Sequence, residues 1–211
     1  MSKEISLDEI KKFWPEKAPN INIVQKYISK YEKEIIVIKY GGNVLIDRNV
    51  FNNFISDINV LNKLGLSIIV VHGGGPRIKR ELEKKKIISK FINGLRVTDK
   101  NIINTVEEVL IDFNNDIVNS LKKLGSDAAS FHTKKDNIID VEPEREELGF
   151  VGIPKKINSN LIEKALFENK IPIIAPLGLG GNNQTFNING DTAASAIAKK
   201  LKSRRLLLMT N

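Results

Sequence analysis

Apolar positions along this chain follow two rhythms in turn. The runs Ile35-Ile-Val-Ile38 and Ile68-Ile-Val-Val71 are continuous and β-branched, as a strand buried on both faces requires. Between them Phe51, Phe54, Ile55, Ile58, Leu61 and Leu64 recur with the period of a helix, which Gly65 ends. The spacing predicts strands at 35–39, 66–71, 127–132, 171–175, 185–188 and 206–210. It predicts helices at 48–64, 99–124, 158–169 and 191–202, the second capped by Thr98 or Asp99. Pro76 suits the first turn of a further helix that ends on Lys84-Lys-Lys86, where positive charge complements the macrodipole. Residues 87–97 predict a short β segment turning at Asn93-Gly94, and 137–141 with 149–152 predict a hairpin with Pro143 in its loop. Pro176–Asn183 is too glycine-rich for a regular element. Ahead of all this, residues 1–19 form a polar extension, helical around 6–13. Ile21, Val24, Tyr27, Ile28 and Tyr31 then take helical spacing over 20–31. Alternating strands and helices give an α/β chain with a mainly parallel sheet.

Two of the strands end in glycine turns, Lys39-Tyr-Gly-Gly42 and His72-Gly-Gly-Gly-Pro76. A strand, a glycine turn and a helix N-terminus make an anion site, because free backbone N–H groups point at whatever sits there. Gly41, Gly42, Gly74 and Gly75 let the backbone approach a ligand with no Cβ in the way. Lys39 lies at the carboxyl end of its strand, where ligands bind in open α/β sheets, and is placed to neutralise a transferring phosphoryl group. The alternative is two tight turns and a solvent-facing lysine. Neither turn contains the Gly-Lys-Ser/Thr of a P-loop, and neither is a good dinucleotide fingerprint.

Downstream, Arg96 follows the Asn93-Gly94 turn and suits bidentate capture of a carboxylate, unless it is a surface arginine. In Phe186-Asn-Ile-Asn-Gly-Asp191, strand alternation sends Asn187 and Asn189 to one side. Asp191 is either a plain N-cap or a group that orients Lys39 or lies near a metal-bound nucleotide. His72 reads as a packed strand-end residue rather than a ligand contact, and His132 is uninformative. Two histidines this far apart predict no metal site.

Composition narrows these options. The chain has 211 residues, enough for a sizeable core, and no cysteine, which excludes disulfides, zinc–thiolate sites and thiol nucleophiles. Neither a signal peptide nor a membrane span is expected, and the localisation that fits is cytoplasmic. The formal charge is +8, carried by 26 lysines and 7 arginines. Arginine is the preferred reader of phosphates and base edges, so scattered lysines do not point to nucleic acid.

In order, the blocks are Val37-Ile-Lys-Tyr-Gly-Gly-Asn43, Val70-Val-His-Gly-Gly-Gly-Pro76, Ile92-Asn-Gly-Leu-Arg-Val-Thr-Asp99, Leu148-Gly-Phe-Val-Gly152, Ile173-Ile-Ala-Pro-Leu-Gly178 and Asn187-Ile-Asn-Gly-Asp-Thr-Ala-Ala194. From about Ile21 onward the chain resembles the amino acid kinase family, in its acetylglutamate kinase branch. The Asn-Gly-Leu-Arg-Val-Thr-Asp block separates that branch from aspartate, glutamate-5 and uridylate kinases. The resemblance implies a three-layer sandwich of the carbamate kinase-like type. It also implies phosphoryl transfer from ATP, with Mg2+, to the side-chain carboxylate of N-acetyl-L-glutamate, the second step of arginine biosynthesis from glutamate. Lys39 and Asp191 would be catalytic, with Gly41 and Gly42 along the nucleotide phosphates. Gly74, Gly75, Arg96 and Asn187 would bind the acetylamino acid, and Mg2+ would travel on phosphate oxygens rather than in a protein cage.

Family members continue past the equivalent of Asn211 into a nucleotide-binding domain with a second catalytic lysine. The resemblance therefore divides this chain into an extension at 1–30, an acetylglutamate-binding and dimerisation domain at 31–202, and the start of the nucleotide-binding domain at 203–211. A fragment or a naturally short product fits that pattern, and kinase activity of these residues alone is not expected. A homodimer is implied, with a hexamer through the N-terminal helix as the larger assembly; the other role for that helix is packing on its own domain. The rival functions are an N-acetyl-aminoadipate kinase, one methylene away and worth only ~1–3 kcal/mol of discrimination, and an inactive acetylglutamate-binding regulatory protein.

Overall fold

The computed structural model describes residues 7–12, 14–16, 18–31, 34–41 and 47–209. The chain opens with α1 (Leu7–Lys11), α2 (Ile21–Tyr31), β1 (Ile35–Tyr40), α3 (Arg48–Lys63), β2 (Ser67–His72) and α4 (Gly75–Lys84). It continues with the hairpin β3 (Phe91–Ile92) and β4 (Leu95–Arg96), the long α5 (Lys100–Lys123), β5 (Ala128–Phe131), β6 (Ile139–Pro143) and β7 (Gly152–Ile157). It closes with α6 (Ser159–Phe167), β8 (Ile171–Ile174), β9 (Leu177–Leu179), β10 (Thr185–Asn187), α7 (Gly190–Lys200) and β11 (Arg205–Met209).

Five strands pair in parallel in the order β11-β1-β2-β8-β5, and four more form a second sheet in the order β10-β9-β6-β7. Strands β1, β2 and β8 are buried on both faces, which is why they read as unbroken apolar runs, while β11 at the sheet edge leaves Leu207 and Leu208 exposed. Ile36, Ile38, Tyr40, Ile68 and Val70 face Phe54 and Ile58 of α3 and Phe113, Ile117 and Leu121 of α5. Val37, Ile69 and Val71 face Ile162 of α6 and Ala193, Ala194 and Ile197 of α7. The α7 side is built from alanines, so that helix lies close to the sheet and its first turn reaches the strand ends. Helix α5 starts on Asp99, whose carboxylate accepts from Asn101 N and Ile102 N at 2.8 and 3.1 Å. Such a cap is worth about 1 kcal/mol. Ile10, Trp14, Ile21, Ile28 and Tyr31 pack against the α3/α5 side of this chain's own core. No helix among the described residues is long and apolar enough to cross a membrane.

Two expectations shift. The hairpin lies at 139–143 and 152–157, with Pro143 paired to Gly152 at the end of β6 and a bulge between Asp140 and Val141. Proline is tolerated there because a strand end needs no further ladder donor. The glycine-rich stretch is not irregular throughout: Leu177–Leu179 pairs with both β10 and β6. A Cβ on Gly178 would come within 2.5 Å of Val141 and 2.7 Å of the Ile139 carbonyl. That glycine marks a close strand approach rather than a turn.

Candidate functional site

Strands β1 and β2 run side by side with Lys39 opposite Val71 and Tyr40 opposite His72. Because successive side chains alternate, Lys39 and Val71 face α7 while Tyr40 and His72 face α5. Tyr40 is fully buried and stacks on Phe54 at 3.8 Å between ring centroids, and burial pushes its hydroxyl up to about 12. Lys39 is 8% exposed and its Nζ lies 3.1 Å from Asp191 Oδ1.

Asp191 is free to make that pair because it is not the helix cap. Asn189 is: its side-chain oxygen accepts from Asp191 N at 2.9 Å and Thr192 N at 3.1 Å. The capping role weighed for Asp191 thus belongs two residues earlier, and the aspartate carboxylate, half-exposed, turns to the lysine. Gly41 closes the same corner. A Cβ there would overlap the Lys39 ammonium, and one at Gly190 would sit 3.6 Å from Lys39 Cε.

The second turn leads straight into α4, with Gly74 as N-cap and Pro76 in the first turn. Gly74 has no room for a Cβ, which would overlap Leu110 of α5. Arg96 reaches this turn from β4: it is 8% exposed, donates to Ser89 Oγ and, at 3.1 Å, to the Gly75 carbonyl. Its guanidinium lies over the Phe91 ring at 4.7 Å. Burial moves its pKa down from the usual arginine value. Arg96 is therefore a held, half-desolvated cation, not a surface side chain.

Thr98 ties Arg96 to the asparagine on the opposite wall. Its hydroxyl donates to the Arg96 carbonyl at 3.0 Å and accepts from Asn187 Nδ2 at 3.3 Å. Its backbone is pinned by Thr98 N to the Leu148 carbonyl at 3.0 Å and by Phe150 N to the Thr98 carbonyl at 2.7 Å. Gly149 makes that docking possible at φ +67, with a would-be Cβ 2.6 Å from the Thr98 carbonyl. Strand β10 is held from behind by Glu107 of α5, buried, which accepts from Thr185 Oγ1 at 2.8 Å and Thr133 Oγ1 at 2.5 Å and pairs with Lys134 at 3.3 Å. Burial alone would raise its carboxyl, but those hydroxyls and Lys134 outweigh it and hold it below the ordinary value.

Lys39, Gly41, Gly74, Gly75, Arg96, Asn187 and Asp191 all line one cavity of about 230 Å3. Gly42 lies outside the described residues. The cavity is smaller than the roughly 300–1,000 Å3 of a drug-sized ligand site, and suits a small metabolite. Two cations and the N-termini of α4 and α7 meet there against one carboxylate, so the site attracts an anion. A larger cavity of about 630 Å3 between α3 and α5 contains none of the predicted site residues. No group of three or more His, Cys, Asp or Glu among the described residues could hold a metal ion. Glycine cradle and lysine fit a phosphate group; a metal accompanying it would need oxygen ligands from the phosphates themselves. Glu107 has no motif of its own, since it acts through partners far away in sequence; Thr98 lies within the block that ends at Asp99, but its link to Asn187 spans 89 positions.

The amino acid kinase family model matches residues 34–211. An acetylglutamate kinase of Pelagibacter ubique (strain HTCC1062) is 50% identical over 204 residues, which cover 97% of this chain and 71% of that protein. Another, from Ruegeria pomeroyi, is 40% identical over 199 residues, with 94% and 69% covered. Among solved structures, a protein of Streptococcus mutans UA159 superposes with a TM-score of 0.77 at 33% identity, over 84% of this chain and 72% of that one. The carbamate kinase of Giardia lamblia shares the fold, with a TM-score of 0.58 at 17% identity over 84% of this chain and 72% of its own.

Proposed function

This chain belongs to the amino acid kinase family and, within it, to the acetylglutamate kinases, and on that basis we propose that its glycine-lined cavity is where N-acetyl-L-glutamate receives the γ-phosphoryl group of ATP. The supporting observation is convergence: seven residues spread from position 39 to 191 meet around one small, electropositive cavity. In the transfer, an oxygen of the acceptor's side-chain carboxylate bonds to the γ-phosphorus as the bond to the β–γ bridging oxygen breaks. An acyl phosphate and ADP result, in arginine biosynthesis, and no proton has to move. The protein's part is positioning and charge neutralisation.

Arg96 holds the α-carboxylate of the acceptor through its fork of donors. Asn187 binds the acetylamino moiety, and the backbone N–H groups of Gly74 and Gly75 meet acceptor oxygens at the start of α4. Lys39 faces the charge that grows on the transferring group, and Asp191 fixes its ammonium in direction. Gly41 and Gly42 would lie along the nucleotide phosphates, where Mg2+ arriving with ATP would supply further charge neutralisation. Residues 31–202 form the acetylglutamate-binding and dimerisation unit, and 203–211 begin the nucleotide-binding part, in a cytoplasmic homodimer. Sedimentation with and without arginine tests whether the N-terminal helix raises that dimer to a hexamer; a dimer indifferent to arginine rejects the larger assembly.

Isothermal titration with N-acetyl-L-glutamate tests the site. We expect saturable binding that Arg96→Ala weakens by about 10- to 100-fold, the worth of a charge-assisted pair. A folded chain that binds no N-acetyl-L-glutamate overturns the assignment.

A further inference from the structure

Resting on that assignment, we propose that His72 is a positioning residue: through a relay of hydrogen bonds it fixes the Gly73–Gly74 peptide so that the Gly74 N–H is presented to the bound acceptor. His72 is fully buried at the end of β2, its ring edge-on to Phe113 at 5.1 Å between centroids. Its Nδ1 lies 2.8 Å from the Gly73 carbonyl and its Nε2 lies 3.2 Å from Asn114 Nδ2.

The chemistry of the partners decides the tautomer. A carbonyl only accepts, so Nδ1 carries the proton. Asn114 is oriented by two further bonds. Its Oδ1 accepts from Ser130 Oγ at 2.6 Å, and its Nδ2 donates to the Ile173 carbonyl at 2.9 Å. The group facing Nε2 is therefore an N–H donor, and Nε2 must be an unprotonated acceptor. Every member of the relay is buried and satisfied, so only the neutral, Nδ1-protonated ring fits.

The consequence reaches the cavity through one peptide plane. In a trans peptide the N–H points opposite to the C=O. With the Gly73 carbonyl turned inward to the histidine, the Gly74 N–H is turned outward, where Gly74 lines the cavity beside Gly75 and Arg96. Gly73 itself is anchored by its N–H to the Tyr40 carbonyl at 2.7 Å, so the peptide is held at both ends. Burial and the charge of Arg77 and His132 disfavour a second proton on the ring, against the Gly73 carbonyl, which favours it.

The test uses two amide replacements. The side-chain nitrogen of His72→Asn falls where Nδ1 was and keeps the bond to Gly73. That of His72→Gln reaches toward Asn114 and loses it, although glutamine is nearer to histidine in size. We expect His72→Gln to weaken N-acetyl-L-glutamate binding by about three- to tenfold, one hydrogen bond's worth. His72→Asn should stay within about twofold of the parent. Nitrogen-15 spectra of the parent should show a protonated Nδ1 and a bare Nε2 on His72. A ring protonated on Nε2, or two folded variants that bind alike, overturns the relay. If the parent binds no acetylglutamate while the spectra show the expected ring, the site assignment fails and takes this role with it.

Discussion

The two glycine turns stand next to each other on parallel strands in register, yet they solve different problems. At the first, the strand ends with a cation: Lys39 faces α7, pairs with Asp191, and has Gly41 cleared away beside it. At the second, the strand ends with a neutral ring: His72 faces α5 and is locked into a network that keeps the ring itself uncharged. One turn supplies a preorganised charge on a buried side chain; the other supplies backbone donors that cannot rotate. A phosphoryl transfer needs both. Charge follows the reacting group, while the acceptor must be held still. On the proposed assignment, transition-state charge belongs to the first turn and ground-state binding to the second.

That division breaks or holds most plainly on Lys39→Met. In a kinase assay that includes the nucleotide-binding part, loss of a preorganised cation facing the transferring group should lower kcat by about 100- to 1,000-fold. The affinity for N-acetyl-L-glutamate, measured separately by titration, should change by less than about threefold. Equal losses in both would show that the lysine serves the acceptor as well.

Acid should act on the second turn through its buried ring. A histidine in the unfolded chain titrates near 6.5, whereas burial brings His72 down to about 4, with Arg77 and His132 adding to the shift and the Gly73 carbonyl opposing it. Above pH ~6.5 the ring is neutral in both states and its contribution to stability is complete. Between there and about 4 the unfolded chain takes up a proton that the folded chain refuses, so stability falls as pH falls. Below that both forms are protonated and no more is lost. The full loss is about 3 kcal/mol. Denaturant unfolding at a series of pH values, in parent and His72→Asn, isolates it, because the shift of His132 is common to both. Parallel curves would mean that His72 is not excluded from protonation.

Within the second turn, Gly74→Ala and Gly75→Ala should differ. The first pushes a methyl into Leu110, and overpacking of that kind costs about 1–3 kcal/mol. The second meets nothing within 4 Å and should leave stability within about 0.5 kcal/mol of the parent. Thermal or denaturant melts of the two settle it, and equal melts would remove Gly74 as a packed, fixed position.

Much of this architecture is legible in the chain. Central strands declare themselves by unbroken Ile and Val, α5 by its apolar period and Asp99, and the anion site by glycines at strand ends. What stays hidden depends on partners distant in sequence. Asn189 caps α7 and so leaves Asp191 to Lys39, a partner far away in sequence that no local pattern reveals. Gly178 looks like a turn residue until Val141 is found against it. His72 reads correctly as a packed residue, but its bond to Gly73 acquires meaning only once Asn114 and Ser130 fix the ring.

The smallest effect probes the join between the binding residues. Thr98→Val keeps the volume of a fully buried side chain but removes the hydroxyl that links the Arg96 carbonyl to the Asn187 amide. Both residues remain in place through their other contacts, Arg96 through Ser89 and Gly75 and Asn187 through β10. The loss is therefore the two hydrogen bonds of one hydroxyl, together about 1 kcal/mol. Because the Thr98 hydroxyl bonds only to residues assigned to the acceptor, KM for N-acetyl-L-glutamate should rise by about three- to fivefold with kcat within about twofold. A fall in kcat at unchanged KM would move Thr98 to the side of the transferring phosphoryl group. The two turns would then share one catalytic task instead of dividing it.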